Sequence, residues 1–426
     1  MHVLIPCLGS HGDVLPYLAL AQALKARGHA PVLYANPHFV PTIEAAGVAV
    51  RAIGSTADHQ RLFGATAPAD PMKALKSVAQ HYAQTCPDYY KSMRADVVPG
   101  DTVVLSGVLL FAARLLRELD QVPWVAVHIA PCTLRSNLQP ARLGPRWVGA
   151  DSAAWLKRLA WWLSDTFVYD PLFTRPFNTL RAQHGLAPLQ RPFQDWAGHA
   201  DRSIGLFPDW FAPPQADWPA DVLPVGFPMV APVGTPPALD PRLEALLARP
   251  GPTVLFTPGT ANGNAAAFFD TSVRACERLG IQGVLVSGFD AHIPKNLPTT
   301  VLHVPFVPFA AVLPRVQAVV HHGGIGTTSQ ALWDGVPQLI RPMAYDQFDN
   351  ATRLQRLGVA RELLPAHYTV DAVCATLPEL LDAPATRAAL AQCQARMRQG
   401  RAMDLACEVV ESALGSGHPA GQSTAA

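Results

Sequence analysis

Short apolar runs alternate with segments of helical period along the first part of the chain. HVLIPCL is continuously apolar and stops at Gly9, the pattern of a strand buried on both faces. VLPYLALAQALKARG repeats its apolar residues at helical spacing and halts at Gly28, a residue suited to a helix C-terminus. PVLYAN then reads as a strand and TIEAAG as a short helix. Further on, DTVVLSG, FAARLLRELD and VPWVAVHIA repeat strand, helix and strand. This alternation predicts a parallel sheet with crossover helices.

From about Pro140 to Pro228 the pattern changes to aromatics and prolines. WLKRLAWWLSDTFVYDPLF keeps helical spacing, with aromatic residues that look exposed. FPDWFAPPQADWP has too many prolines for a regular helix or a central strand, and VGFPMVAPVGTPPALDP reads as an extended linker. Alternation then restarts through TVLFTPGT, AAFFDTSVRACERLG, GVLVSG, TVLHVPF, FAAVLPR, AVVHHGG, TTSQALWDG, PQLIRP and NATRLQRLG. VDAVCATLPELLDA and the long run TRAALAQCQARMRQGRAMDLACEVVESAL are helical by spacing. The expected fold class is α/β, with two Rossmann-like domains whose parallel sheets face an interdomain cleft. The expected division is 1–225 for an acceptor-binding domain, 226–240 for a linker, 241–414 for a nucleotide-binding domain and 415–426 for a disordered tail.

Size and composition agree with two cores. The 426 residues are 49% hydrophobic and 15% charged, enough for two domains of roughly 200 residues. A formal net charge of +1 with no dense Lys/Arg run argues against a nucleic-acid partner. The seven cysteines are scattered and never form C-x-x-C, which reads as reduced cytosolic thiols, without a disulfide framework or zinc site. The N-terminus lacks a basic leader and no apolar run is long enough to span a bilayer, so a cytoplasmic location is expected. Peripheral contact with the inner membrane stays open, and oligomeric state is not legible.

Candidate chemistry lies first after the strand AVVH. Gly323, Gly324 and Gly326 open a helix there, where backbone N–H groups and the helix dipole favour an anion. Thr327 and Thr328 add hydroxyls. Packing alone also produces such turns. His321 and His322 are adjacent and point to opposite sides of the strand end, so only one can reach the cradle. A histidine beside a core strand is commonly structural.

The segment HHGGIGTTSQALWDGVPQLIRPMAYDQFDNA resembles the donor signature of the GT-B nucleotide-sugar glycosyltransferases, the family of plant, sterol and antibiotic glycosyltransferases. The resemblance implies a nucleotide-sugar donor as substrate and no cofactor. It places His322, counted back from Gly335, on the diphosphate, with Gly324, Gly326 and Thr327 in the phosphate turn. Asp346 and Gln347 fall on the pair that holds the sugar hydroxyls; an N-cap and a solvated loop are the structural alternatives. Gln330 stands where many members carry a ribose-binding glutamate. Phe306, beside Val307, stands where plant members stack a tryptophan on the base, and Phe309 where they have a glutamine. Core packing competes for both phenylalanines. Thr260 resembles a further phosphate or ribose contact.

An acceptor hydroxyl needs a base, and GSHGDVLP supplies Asp13 and His11. The loop resembles the family's G-S-x-G-D-x-x-P form, where the plant branch places its catalytic histidine at the Asp13 position. Asp13 is therefore the expected base and His11 secondary; helix capping is the alternative for Asp13. Ser106 stands where the plant branch orients its histidine with an aspartate, which suits a carboxylate base. GSHGDVLP, FPDWFAPPQADWP, VGFP and AYDQFDNATRLQRLG together are similar to the rhamnosyltransferase chains of rhamnolipid synthesis. That similarity implies dTDP-rhamnose and a lipidic hydroxyalkanoyl acceptor, with Trp161 and Trp162 as acceptor-wall or membrane-facing candidates against ordinary packing. The expectation is an inverting, metal-independent transfer of rhamnose, or next glucose, from a dTDP- or UDP-sugar to a hydrophobic hydroxyl. The alternatives are a natural-product glucosyltransferase using UDP-glucose, a nucleotide-sugar epimerase and a catalytically silent binding partner.

Overall fold

The computed structural model describes residues 1–64, 67–68, 70–145, 148–193, 197–219, 221–229, 238–259 and 265–415. The first half forms a sheet from β1 (His2–Pro6), β2 (Ala30–Ala35), β3 (Ala49–Ala52), β4 (Thr102–Ser106), β5 (Trp124–His128), β6 (Arg202–Gly205) and β7 (Val222–Pro224). Their order is β3-β2-β1-β4-β5-β6-β7. The second half forms a sheet from β8 (Thr253–Thr257), β9 (Gln282–Val286), β10 (Val301–Val304), β11 (Ala318–His321), β12 (Gln338–Ile340) and β13 (Ala360–Glu362). Its order is β10-β9-β8-β11-β12-β13. Among the described residues every strand pairing is parallel, as the alternation predicts.

The apolar runs are continuous because helices cover both sheet faces. Val3 and Ile5 face one core with Leu18, Leu20 and Leu33, while Leu4 faces another with Tyr34, Tyr82 and Trp124. Strand order reverses between β1 and β4 and between β8 and β11. Loops leaving the carboxyl ends of strands at such points are where open α/β sheets bind ligands. The loops after β1 and β11 carry the two candidate motifs.

Several elements differ from the expected pattern. β3, β6, β7 and β13 and the helix Pro71–Ala95 gave no clear periodic signal. β3 is an exposed edge of sequence AVRA, which carries little apolar pattern. The long C-terminal run is two helices, Pro384–Gln399 and Ala402–Gly415, because Gly400 takes an extended backbone with ψ 147°. The last helix crosses back to the first sheet, burying Ala406, Cys407, Val410 and Ala413 in its core. Arg27 and His29 hold its Glu411 at 2.8 Å. The last helix of the expected unit 241–414 thus packs on the first sheet. Of the expected linker, 230–237 lies outside the described residues, as does 416–426 of the expected tail.

Between the halves lies a shared apolar core. Ala130, Leu134, Phe207, Phe211 and Trp218 from the first half pack with Ile325, Leu332, Ile340, Leu354 and Leu390 from the second. Much of the Pro-rich aromatic segment thus serves interdomain packing. A polar clasp closes the same side. The Arg142 guanidinium donates to Glu362 Oε2 at 2.7 Å, and its backbone N–H donates to Asp349 Oδ1 at 3.2 Å.

The other aromatic segment forms helix Ala154–Ser164, which widens into π-type turns over Asp165–Thr174 and resumes as Arg175–Gln183. Asp165 at the junction is buried and paired with Arg135 and Arg191. Trp155, Leu159, Trp162, Leu163 and Phe167 are exposed, and their spacing gathers them into one stripe.

Candidate functional site

At the end of β11 the two histidines part. His321 is wholly buried; its Nε2 lies 2.9 Å from Gln338 Oε1 and its Nδ1 accepts from the Gly323 N–H at 3.1 Å. Both ring nitrogens are thus engaged in the core. His322 instead sits in the turn between two close backbone segments. A Cβ on Gly259 would lie 2.6 Å from its ring, and one on Gly324 would lie 2.5 Å from its Nε2. His322 Nδ1 is buried without a hydrogen-bond partner among the described residues. Burial lowers its pKa to about 4, so the unliganded protein holds it neutral near pH 7.

Helix Ile325–Asp334 follows, with Gly324 at its N-cap in extended backbone. The Gly324 N-cap offers no side chain, and among the described residues the Ile325 N–H is met by the Asp346 carboxylate, which leaves the Gly326 and Thr327 N–H groups of the first turn for an anion. Among the described residues nothing lies within 4 Å of a notional Cβ on Gly326. Thr327 is half-buried on this turn, while Thr328 is buried with its hydroxyl unpartnered among the described residues. Gln330 lies one turn further, its amide only loosely engaged with Gly326 O at 3.4 Å.

The loop after β12 brings the next group. Asp346 precedes helix Gln347–Arg356 but its side chain does not cap that helix. Its carboxylate accepts from Asn350 Nδ2 at 2.7 Å, and the same amide donates to Gly323 O at 2.9 Å. The loop is thereby tied to the glycine turn. Burial raises the Asp346 pKa to about 7, against the Asn350 hydrogen bond, and the Asp13 charge adds to the rise. Gln347 Oε1 accepts from the N–H groups of Met343 and Ala344 at 2.8 and 3.1 Å, so its amide carbonyl is used in shaping the loop. Phe306, after β10, is 73% exposed, which removes core packing as its explanation; Val307 beside it is buried. Phe309 packs partly against the core. Thr260 lies outside the described residues.

Opposite, the loop after β1 enters helix His11–Ala26, whose start is a capping box: the Asp13 carboxylate accepts from the Ser10 N–H at 2.8 Å and from Ser10 Oγ at 3.2 Å. The helix begins earlier than the apolar period suggests, with Asp13 inside its first turn. Gly9 is obligatory here, since its φ is +129° and a Cβ would meet Asp13 Oδ2 at 2.2 Å. Asp13 Oδ1 has no hydrogen bond among the described residues, which leaves one carboxylate oxygen for chemistry. Burial raises the Asp13 pKa against the two Ser10 bonds. His11 packs edge-on against His38 and Phe39, and His38 stacks on His59 at 4.0 Å. Burial lowers the His11 pKa, and His38 adds to that.

The helix bearing Asp13 touches helix Ile325–Asp334, so the two motifs share one cleft. Trp161 and Trp162 separate: Trp161 lies under the Arg135 guanidinium at 4.6 Å, whereas Trp162 is 48% exposed. Sequence reading missed Asn350, which ties the two donor loops together, and Tyr345, which holds φ +58°. D-N-A after D-Q marks Asn350 in retrospect; nothing in the sequence signals a tyrosine with positive φ.

Residues 3–138 match the glycosyltransferase family 28 N-terminal domain, and residues 285–412 match the erythromycin biosynthesis protein CIII-like C-terminal domain. O-mycaminosyltylonolide 6-deoxyallosyltransferase of Streptomyces fradiae is 29% identical, covering 96% of this chain and 97% of its own. Oleandomycin glycosyltransferase of Streptomyces antibioticus is 27% identical, covering 98% and 92%. Among solved structures, the glycotransferase of kitacinnamycin superposes with a TM-score of 0.76 at 22% identity, over 97% of this chain and 99% of that one. A spinosyn rhamnosyltransferase complexed with thymidine diphosphate gives 0.68 at 20% identity, over 96% and 100%.

Proposed function

We propose that this chain, which has the GT-B fold and matches two glycosyltransferase domain families, transfers a hexose or deoxyhexose, rhamnose first and glucose next, from a dTDP- or UDP-sugar to a hydroxyl of a hydrophobic acceptor, with inversion. The observation that carries this reading is the facing pair of motifs. A glycine-rich helix start with His322 stands across one cleft from an Asp13 carboxylate whose Oδ1 has no hydrogen bond among the described residues.

In this mechanism Asp13 takes the acceptor proton as the acceptor oxygen attacks the anomeric carbon. The diphosphate departs from the opposite face toward the Gly324–Thr327 turn. Open N–H groups, the helix dipole and His322 stabilise its charge, a preorganised role that asks for no metal ion. His322 enters as a neutral hydrogen-bond donor whose pKa rises once the diphosphate is beside it. Asp346 and Gln347 orient the sugar, and Phe306 offers its open ring to the base. A raised Asp13 pKa makes the carboxylate a better base at the cost of requiring higher pH to be ionised.

The exposed Trp155–Phe167 stripe supports a lipidic acceptor met at a membrane surface. Arg158 is the exposed charge along it, and Asp165 is buried and paired. No described helix is long and apolar enough to cross a membrane. Nucleotide release from UDP- and dTDP-sugars, measured against hydroxyacyl, sterol and phenolic acceptors, tests the reading. Acceptor-dependent release with a glycosylated product is expected. Conversion of the donor to an altered sugar nucleotide without acceptor would instead identify an epimerase.

A further inference from the structure

Tyr345 is a bulky residue in left-handed backbone, φ +58°, immediately before Asp346. Such residues rarely adopt this conformation, and it persists only where the surroundings fix it. Here they do. Pro342 restricts the approach, Gln347 Oε1 binds the N–H groups of both Met343 and Ala344, and Asp346 is tied to Asn350. The constrained loop spends this rigidity on a side chain that is 49% exposed and belongs to none of the apolar cores. An aromatic ring held in strain and left out of the core is not explained by packing. Its setting offers another explanation. Asn350 ties the next residue, Asp346, to the glycine turn at Gly323, which sets Tyr345 at the rim of the donor loops; burial raises the phenol pKa, and the Asp13 charge of the other half adds to the rise.

We propose that Tyr345 is a positioning residue that walls the transfer point against water, so that the sugar passes to the acceptor hydroxyl. The inference rests on the transferase reading and adds a determinant of transfer against hydrolysis. In the competing reaction, water oxygen bonds to the anomeric carbon while the bond to the diphosphate oxygen breaks. The water proton passes to Asp13, leaving free sugar and nucleoside diphosphate. A planar ring beside the anomeric carbon excludes that water without offering it a second polar partner.

Two variants of the full chain separate this role from a structural one. Tyr345→Gly suits the left-handed backbone, so the fold should be retained, with a melting temperature equal to or about 1–2 °C above the parent. Its ratio of acceptor-independent nucleotide release to acceptor transfer should rise at least tenfold. Tyr345→Phe keeps the ring and should hold the parent ratio within about twofold. A parent-like ratio in Tyr345→Gly would overturn the proposal, as would a raised ratio in Tyr345→Phe. Absence of transfer to any acceptor by the parent would be a failure of the transferase reading itself, and the two failures are thus distinct.

Discussion

Substituting Gly326 with alanine should move stability and donor binding in opposite directions. Gly326 is the second residue of helix Ile325–Asp334, its φ is not positive, and a Cβ there meets nothing within 4 Å among the described residues. In the free protein the change replaces a poor helix former by the best one. Interior positions gain about 0.5–1 kcal/mol from this, and the first turn gains roughly half of that. The same methyl would occupy the space through which the diphosphate approaches the open N–H groups. Hydrogen bonds to a charged group contribute about 1.5–3 kcal/mol each. Losing one of them corresponds to roughly a 10- to 150-fold loss of nucleotide affinity. Calorimetric titration with UDP and dTDP, beside thermal melting of the free protein, reads both quantities. Unchanged affinity in a protein of unchanged or raised stability would refute the placement of the diphosphate on this turn. Gly324→Ala gives the contrast, since its Cβ would collide with His322 in the free protein.

Asp346→Asn should stabilise the free protein above neutral pH while weakening use of the donor. Because the folded-state pKa is raised to about 7, the parent loses stability as pH rises from the ordinary carboxylate range through 7. The advantage of the variant in melting temperature should therefore vanish near pH 4; an advantage independent of pH would contradict it. At Glu411 the sign is reversed: its pKa is lowered to about 2 by hydrogen bonds from Arg27 and His29. The stability it contributes is present above the ordinary glutamate range and lost as pH falls toward 2. Glu411→Gln should therefore melt below the parent at pH 7, with the gap narrowing below the ordinary glutamate range and closing as pH falls through about 2. A constant gap across that range would show that the cross-over helix is not held by this charge.

The strand–helix alternation in both halves was legible because each buried strand is a continuous apolar run between glycines, as in HVLIPCL and AVVHH. Edge strands such as AVRA and ARE carry no such run, and their pairing depends on neighbours distant in sequence. The return of helix Ala402–Gly415 to the first sheet could not be read from helical period, which reports a buried face but not its partner. At the site, the opposed directions of His321 and His322 follow from strand geometry, and the core bonds of His321 agree with it. The double duty of Asp13, helix cap by one oxygen and open by the other, needed coordinates. So did the positive φ of Tyr345.

The account turns on Asp13 as the base, and the transfer rate of Asp13→Asn tests that most directly. Asparagine keeps an oxygen for the Ser10 N–H, so the helix start should survive. Its amide cannot accept the acceptor proton. Transfer should fall by about 10²–10⁴, the usual contribution of a general base, with nucleotide affinity unchanged. The acidic limb of the parent pH–rate profile, which rises as Asp13 ionises, should disappear. Transfer near the parent rate with that limb intact would contradict the assignment.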